Sequence, residues 1–319
     1  MTQQTQADGA AVHGRAVRFD HYGDRDVLRV EDVAVPAPPP GEVLVAVRAA
    51  GINPGEAAIR SGAMADLFPA TFPSGQGSDL AGVVVVAGDG VAQFTAGDEV
   101  LGWSWRRSSH ASHVLVPADQ VVRKPAALGW EEAGALSVVG CTAYAAVRAV
   151  DAGEGDTVAV SAAAGGVGSV VVQLLRLRGA TVLGIASAHN HDWLTGHGVE
   201  PIAYGDGLAE RLRAAAPGGI DAFIDLFGPD YVQLALDLGL PPDRVETIIS
   251  FQKAQELGTK AEGSQDASTP EVLTEMADLV AAGTVEIPIA ATYPLDRVAD
   301  AFAELEQRHT RGKIVLIPS

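Results

Sequence analysis

The sequence predicts an α/β protein with two domains, a compact β-barrel-like domain followed by a doubly wound parallel sheet. Three observations support this prediction. Residues 14–125 hold short apolar segments that are separated by glycine and proline turns. From Thr157 onward, short apolar strands alternate with helical segments. Where that alternation begins, residues 158–168 have the pattern of a strand that ends in a glycine-rich turn and opens a helix.

Composition limits the classes of protein to consider. With 319 residues, 47% hydrophobic and 5% aromatic, the chain can build about two ordinary cores. Its 40 acidic and 22 basic residues give a net charge of −18, which argues against partnership with nucleic acid or an anionic membrane. No apolar run reaches spanning length, and residues 1–13 are polar, so we expect a disordered tail and a cytoplasmic protein. Cys141 is the only cysteine, which excludes a disulfide framework and a cysteine-built zinc site.

The first domain is predicted to consist mainly of strands. They are expected at residues 16–19, 28–33, 42–49, 80–87, 99–101 and 113–116, with a helical piece at 56–60 and a loop at 67–77.

The second domain is predicted to open with two helices, at residues 130–136 and 142–150. Its strands are expected at 157–160, 181–186, 202–203, 222–226 and 245–249, with helices at 169–178, around 192–195, at 208–216 and at 231–238. After a polar loop at 260–269 we expect a helix at 271–282, a segment at 287–294, a helix at 296–307 and a strand at 313–317. This last part is expected to return to the first domain. The strand at 245–249 is the predicted edge of the sheet, with an unpaired ladder that would favour a homodimer.

The glycine-rich turn predicts a dinucleotide site. Gly165 lets a diphosphate approach the backbone, and Gly168 lets the new helix pack closely on the strand. The helix N-terminus adds free N–H groups and a positive dipole end. Ala163 occupies the first glycine position of the usual pattern, and a tight turn without a ligand is the alternative. The predicted diphosphate-binding residues are Ala164, Gly165, Gly166, Val167 and Gly168.

The residues after the second strand of this domain favour NADPH over NADH. That strand ends at Ser187 and not at an acid, so no carboxylate repels a 2′-phosphate, and Ser187, His189 and Asn190 are suitable donors. Between Gly179 and Glu210, however, there is no lysine or arginine. Either histidines and Tyr204 replace the usual cation, or binding is modest and depends on pH near the histidine pKa of about 6.5. His189, His191 and His197 are equally well explained as solvated loop residues.

Six motifs follow one another along the chain, at residues 50–54 (AGINP), 77–84 (GSDLAGVV), 97–100 (GDEV), 140–144 (GCTAY), 162–168 (AAAGGVG) and 310–316 (TRGKIVL). Together they resemble a known family, the zinc-independent quinone oxidoreductase branch of the medium-chain dehydrogenase/reductase superfamily. The resemblance runs from about Gly14 to the C-terminus, with the motifs in the same order.

The resemblance implies a GroES-like catalytic domain at residues 14–125 and 266–319, a Rossmann NADP-binding domain at 126–265 and an active cleft between them. It implies that Asn53 and Thr142 border the nicotinamide and its ribose, and that Ser187 and Tyr204 lie near the 2′-phosphate. It also implies that the cofactor is lined by strand-end loops at Phe227, Gly228, Ser250 and Phe251. For each of these residues, turn formation or core packing is the alternative.

The resemblance also bears on metal and substrate. The family's alcohol dehydrogenases carry a zinc-binding cysteine where Asn53 lies and a His-Glu pair where Ser78 and Asp79 lie, and a four-cysteine lobe holds a second zinc. We therefore expect no metal here. Many relatives carry a tyrosine where this chain has Ala58, which opens the pocket and removes a hydrogen-bond donor.

Without a Lewis acid the expected reaction is hydride transfer from NADPH to a quinone or an α,β-unsaturated carbonyl. Asn53 is the predicted catalytic residue, orienting nicotinamide or substrate, and the proton comes from water or an unidentified donor. Candidate donors are Tyr144, Glu56 and His110. Trp103 and Trp105 either wall an aromatic pocket or pack structurally. Two alternatives stay open, an enoyl-thioester or polyketide-type enone reductase and a catalytically idle NADPH-binding sensor or structural protein.

Overall fold

The computed structural model of the protein describes residues 11–318. Its strands are β1 (Val12–Phe19), β2 (Arg29–Val35), β3 (Glu42–Gly51), β4 (Ser74–Gly75), β5 (Asp79–Ala87), β6 (Glu99–Trp103), β7 (His113–Pro117), β8 (Val121–Arg123), β9 (Thr157–Val160), β10 (Thr181–Ala186), β11 (Glu200–Ala203), β12 (Ala222–Asp225), β13 (Val245–Thr247), β14 (Ile289–Pro294) and β15 (Lys313–Ile317). Its helices are α1 (Pro54–Ser61), α2 (Trp130–Ala149), α3 (Gly166–Leu177), α4 (His191–Gly196), α5 (Leu208–Ala215), α6 (Pro229–Asp237), α7 (Phe251–Leu257), α8 (Pro270–Ala281) and α9 (Val298–Leu305).

The parallel sheet has the strand order β11-β10-β9-β12-β13, and all its neighbouring strands are parallel. The chain therefore moves outward from β9 in one direction and then crosses to the other side at β12. Ligands bind at such a reversal point, beyond the carboxyl ends of the strands. The predicted doubly wound sheet is confirmed, and it sets the glycine-rich turn after β9 beside the end of β12.

The other strands form two further sheets. One has three strands, in which β1 pairs with β2 and β4, and the other is a mixed sheet of seven strands around β3 and β5 that includes both N-terminal and C-terminal strands. β15 pairs antiparallel with β3, so the C-terminal strand does return to the first part of the chain. β1 already begins at Val12, because residues 12 and 13 pair with β2, and this corrects the end of the predicted tail. The rest of that predicted tail, residues 1–10, lies outside the described residues.

α2 corrects the prediction of two helices, because it is one helix of 20 residues. Gly140 lies in its middle without breaking it. A Cβ at that position would come within 2.9 Å of Leu136 and 3.4 Å of Met276, so close packing against α8 holds the helix together where propensity is weakest. The buried cluster around α2 includes Ala49 and Leu101 from the first part of the chain and Val158 from the second.

The end of the parallel sheet differs from its prediction in two ways. β13 stops at Thr247, two residues early, although it is an edge strand as predicted. Its outer ladder is not unpaired, because Lys260 donates to the carbonyl of Val245 (2.8 Å) and accepts from the amide of Thr247 (3.1 Å). The predicted helix at 296–307 is a 3₁₀ turn followed by the shorter α9.

Within residues 11–318, no helix combines the length and the apolar character needed to cross a membrane. The boundaries of the two domains, at residues 125 and 265, stay a prediction.

Candidate functional site

The glycine-rich turn lies where a diphosphate would be received. α3 begins at Gly166, has no side-chain cap, and has no acidic residue in its first turn. A Cβ at Gly168 would lie 2.2 Å from the carbonyl oxygen of Ala162, so only glycine allows this helix to sit so close to the strand. At Gly165 a Cβ would meet one atom, 3.2 Å away, which leaves its outer side open. The turn fits a diphosphate by shape and by its free N–H groups.

A buried carboxylate that the sequence did not single out organises the neighbouring loops. Asp225, at the end of β12, accepts hydrogen bonds from the hydroxyls of Ser161 and Thr247, both at 2.8 Å. Its Oδ1 also accepts from the amides of Phe227 (3.0 Å) and Gly228 (3.1 Å). The Ser161 and Thr247 hydroxyls in turn accept from Leu226 N (2.7 Å) and Ser250 N (3.1 Å). One fully buried side chain therefore fixes the loops that follow β9, β12 and β13.

These loops carry the predicted cofactor-lining residues. Phe227 and Phe251 are 46% and 41% exposed, which is unusual for phenylalanine and leaves two aromatic faces at this end of the sheet. Gly228 and Ser250 are buried and are held through their backbone. The guanidinium of Arg308 lies 5.7 Å from the centre of the Phe227 ring, and so brings a cation from the other end of the chain to this edge.

The side chains predicted to meet the adenosine end lie together after β10. The Ser187 hydroxyl is 3.1 Å from His189 Nδ1, and the side-chain amide of Asn190 donates to the same hydroxyl at 3.2 Å. Tyr204 follows the adjacent strand β11 and is 53% exposed. Arg211 binds the loop around Tyr204 by donating to the carbonyls of Ala203, Gly205 and Asp206. The stretch without cations therefore still has a guanidinium at its border.

Asn53 is the centre of a second buried network, between β3 and α1. Its Nδ2 donates to Asp79 Oδ2 (3.0 Å) and Glu56 Oε1 (3.2 Å), and its Oδ1 accepts from Lys313 Nζ at 2.5 Å. Lys313 also donates to Asp79 Oδ2 (3.1 Å) and to the carbonyl of Ile52 (3.1 Å). All four side chains are buried.

This network contains two carboxyl groups and one ammonium group. Backbone amides donate to the carboxyl oxygens that the side chains leave open, from Val138 to Asp79 (2.7 Å) and from Asn53 to Glu56 (3.0 Å). Burial raises the pKa of the Asp79 carboxyl above its ordinary value, and Lys313, Asn53 and Val138 limit that rise. Because the ammonium is outnumbered, the network does not present net positive charge to a ligand.

Lys313 links the buried network around Asn53 to the glycine-rich turn. Gly312 donates to the carbonyl of Ala164 (3.0 Å) and bridges to Gly165. The stem of Lys313 passes beside the turn, where a Cβ on Gly166 would lie 3.1 Å from Lys313 Cδ and 3.4 Å from Val139 on α2. The turn and Asn53 are thus joined by a single side chain. Thr142, the other predicted nicotinamide neighbour, lies one turn further along α2, where its hydroxyl donates to the carbonyl of Val138 (2.6 Å).

The candidate proton donors fall into two places. Glu56 and His110 adjoin Asn53, with 3.7 Å between His110 Nε2 and Glu56 Oε2, but both are buried and His110 also bonds the carbonyl of Gly51. Tyr144 is half-buried against the cluster around α2.

Trp103 is buried and Trp105 is 43% exposed, with ring centres 6.2 Å apart. Burial raises the pKa of Cys141 to about 12, so its thiol is inert at neutral pH.

Three residues of the site were missed by sequence reasoning. Asp225 ends an apolar strand of the parallel sheet, and Lys313 begins the otherwise apolar and buried β15, so each is a charged residue at a position where it needs a partner. Those signals were available. Arg308 offers no such signal, because nothing local distinguishes it from other surface arginines.

Fold and site together define a two-domain dehydrogenase/reductase. Residues 39–126 match the family described as alcohol dehydrogenase GroES-like domain, and residues 197–316 match the one described as zinc-binding dehydrogenase. The chain is 31% identical over 327 residues to a quinone oxidoreductase of Pseudomonas aeruginosa, covering 95% of this chain and 99% of the relative. It is also 31% identical over 344 residues to the human synaptic vesicle membrane protein VAT-1 homolog, covering 95% of this chain and 86% of that protein.

Among solved structures, Escherichia coli quinone oxidoreductase complexed with NADPH superposes with a TM-score of 0.85 at 28% identity, covering 95% of this chain and 100% of the other. The chain belongs to the quinone oxidoreductase branch of the medium-chain dehydrogenase/reductase superfamily. It is an oxidoreductase that uses a nicotinamide cofactor on a small-molecule substrate. The sequence-based prediction of family and fold class is confirmed.

Proposed function

We propose that this protein transfers a hydride from NADPH to a quinone or an α,β-unsaturated carbonyl without zinc. The observation that carries the proposal is the network around Asn53. At the position where zinc-dependent relatives place metal ligands, a buried ammonium already bonds Asn53 Oδ1 and Asp79 Oδ2. Conjugated acceptors need positioning more than a Lewis acid, because delocalisation stabilises the enolate or hydroquinone anion that hydride addition leaves.

The residues of this chain have defined tasks in that reaction. The turn at Gly165 to Gly168 binds the diphosphate, the loops fixed by Asp225 line the cofactor, and Asn53 orients its nicotinamide end. The cofactor supplies the hydride. The carboxyl oxygens of Glu56 already accept from Asn53 and Ser78, and His110 Nε2 bonds the carbonyl of Gly51, which supports water as the proton source.

Turnover tests the proposal directly. Purified protein is mixed with NADPH and a panel of quinones and enones, and the absorbance of the reduced nicotinamide is followed. We expect oxidation with at least one acceptor, and an unchanged rate after dialysis against a chelator or after addition of zinc. A rate that vanishes on chelation and returns with zinc would contradict the zinc-independent mechanism, and no oxidation with any acceptor would contradict the reaction itself.

The choice of NADPH is supported by the polar group at Ser187, His189 and Asn190 and by the absence of a carboxylate there. Replacing Ser187 by aspartate places a negative charge where the 2′-phosphate is expected. We predict that Ser187→Asp raises the Kd for NADPH by roughly tenfold, about 1.4 kcal/mol, and changes the Kd for NADH much less. Titration of both cofactors by fluorescence checks this, and equal effects on the two would place the phosphate elsewhere.

A homodimer in the cytoplasm is the assembly we propose. Exposed Ile249 follows the edge strand β13 and offers apolar surface to a second copy. Because Lys260 already pairs with β13, association would use this side chain more than a continued ladder. Light scattering of wild type and an Ile249→Ser variant tests this.

A further inference from the structure

The hydrogen bonds of Asn53 determine which chemical face its amide can offer to a ligand. An asparagine has two donor hydrogens on Nδ2 and two acceptor lone pairs on Oδ1. Both donors are consumed, one by Asp79 and one by Glu56, and one lone pair is consumed by Lys313. What remains is a single acceptor position on Oδ1.

The neighbouring groups alone determine which way this amide is oriented. Oxygen and nitrogen of an asparagine look alike, and the flip is normally assigned from the hydrogen-bond network. Here an ammonium, which only donates, lies on one side, and two carboxylates, which accept when ionised, lie on the other. Turning the amide over would set Oδ1 against two carboxylates and Nδ2 against the ammonium, so one orientation alone is allowed.

We propose that Lys313 is a positioning residue that locks Asn53 as a hydrogen-bond acceptor, and that this acceptor receives a donor on the nicotinamide riboside half of the cofactor. Such donors are the carboxamide N–H₂ and the ribose hydroxyls. The proposal rests on the nicotinamide-dependent function above and deepens it. It assigns Asn53 to the cofactor, because an anionic oxygen formed on a substrate needs a donor and Asn53 has none left.

The path of Lys313 supports the cofactor as the occupant. β15 begins at Lys313, directly after Gly312 has bonded the turn at Ala164. Gly312 has φ +73°, and a Cβ there would lie 2.0 Å from the carbonyl oxygen of Pro288, so only glycine fits at the point where the chain bonds Ala164 and enters β15. The side chain that orients Asn53 is therefore anchored to the part of the fold that receives the same cofactor.

The test compares a double variant with a matched control. The double variant Asp79→Asn with Lys313→Met removes the ammonium and the carboxylate that hold the Asn53 amide. It preserves the shape of both side chains and the net charge, and it leaves no unpaired charge between these two positions. The control is Lys124→Met with Glu99→Gln. The side chain of Lys124 is also shielded from solvent and donates to the half-exposed carboxylate of Glu99 (3.0 Å), yet it bonds neither Asn53 nor the glycine-rich turn.

The first measurement needs no cofactor. Nuclear magnetic resonance of ¹⁵N-asparagine-labelled protein, assigned with an Asn53→Ser variant, reports how fast the Asn53 side-chain hydrogens exchange with water. We expect slow exchange in wild type and in the control, and exchange at least about tenfold faster in the double variant. Wild-type exchange as fast as that of exposed amides would overturn the lock.

The second measurement identifies the donor. Binding of NADPH is compared with binding of its 3-acetylpyridine analogue, which lacks the amide hydrogens. A roughly tenfold preference of wild type for NADPH that disappears in the double variant supports the carboxamide as donor. No preference in wild type, with about tenfold weaker binding of both forms to the double variant, supports a ribose hydroxyl. Equal binding of both forms to both proteins overturns the proposal. Binding of neither form to wild type would defeat the proposed function and the cofactor as occupant, although the lock itself could still stand in the exchange data.

Discussion

Two buried polar networks hold the candidate site, one around Asp225 and one around Asn53 and Lys313, and they are built in opposite ways. Asp225 is one charge surrounded by hydroxyls and backbone amides, and all its partners lie within the parallel sheet and its loops. The Lys313 network has three ionisable groups, and its hydrogen bonds join residues as far apart in sequence as Asn53 and Lys313. The first network therefore shapes backbone loops, whereas the second fixes one side chain between distant segments. The segments that Lys313 and Asn53 join are 260 positions apart in the chain, whereas Ser161 and Asp225 are 64 positions apart.

Removing the lysine alone should have the largest effect. Lys313→Met leaves Asp79 and Glu56 buried beside each other without a cation, and we expect the free energy of unfolding to fall by about 3–5 kcal/mol at pH 8. Chemical denaturation measures it.

The same variant has an expected pH dependence. Without Lys313, the pKa of Asp79 rises further above the value of about 3.9 that it has in the unfolded chain. When the pKa of a carboxyl group is higher in the folded than in the unfolded state, the protein loses stability as pH increases above the unfolded pKa. The deficit in stability of Lys313→Met relative to wild type should therefore shrink as the pH is lowered from 8 to 5. A deficit that is constant across this range would mean that the loss is one of packing.

Neutralising the other network should cost less. Asp225→Asn keeps one acceptor oxygen and replaces the other by a donor that faces hydroxyls, so we expect a loss of about 1–3 kcal/mol. Because the loops after β9, β12 and β13 lose a shared anchor, the Kd for NADPH should also rise by roughly tenfold.

Asp221→Asn is the matched control for that variant. Asp221 accepts from the amide of Thr157 (2.7 Å), which lies at the start of β9 and so at the opposite end of the same sheet. We expect it to leave cofactor binding unchanged. If Asp225→Asn also leaves the Kd unchanged, Asp225 serves stability alone.

The smallest effect is expected from a buried carboxyl group that lacks the full set of hydrogen-bond donors that Asp225 has. Glu246, beside Thr247 on β13, accepts from Glu262 N (2.8 Å), but its Oε2 is buried without a hydrogen-bond partner among the described residues. Burial raises its pKa to about 9. Between the ordinary value of 4.5 and 9, the unfolded state is ionised while the folded state keeps its proton, so stability falls as pH rises.

Glu246→Gln removes the ionisable group and with it this pH dependence, but it leaves a buried amide with an unpaired polar atom. The net gain in stability should therefore be on the order of 1 kcal/mol at pH 8 and less at pH 5. Thermal unfolding at the two pH values checks this, and a gain that does not grow with pH would show that Glu246 is already ionised in the folded protein.

The sequence was sufficient for the parts of the site that are local. The turn at Gly165 to Gly168 and the serine after β10 are set by neighbouring residues, and a strand followed by glycines carries its own signal. The single helix α2 was not predicted, because the packing of Met276 on α8 against Gly140 is a tertiary effect. The lock on Asn53 was not predicted either, since its cation lies 260 positions away in the chain. Lys313 was within a motif that the resemblance used, but no local rule could give it a partner.

The continuity of α2 has a consequence for motion. At 20 residues it is about 30 Å long, and it donates to Asp79 from Val138 while Val139 lies against the glycine-rich turn. These two contacts are made by neighbouring residues, so a bend of α2 at this point would break one of them. We therefore expect Asp79 and the diphosphate turn to move together with this stretch of α2 in any closing motion.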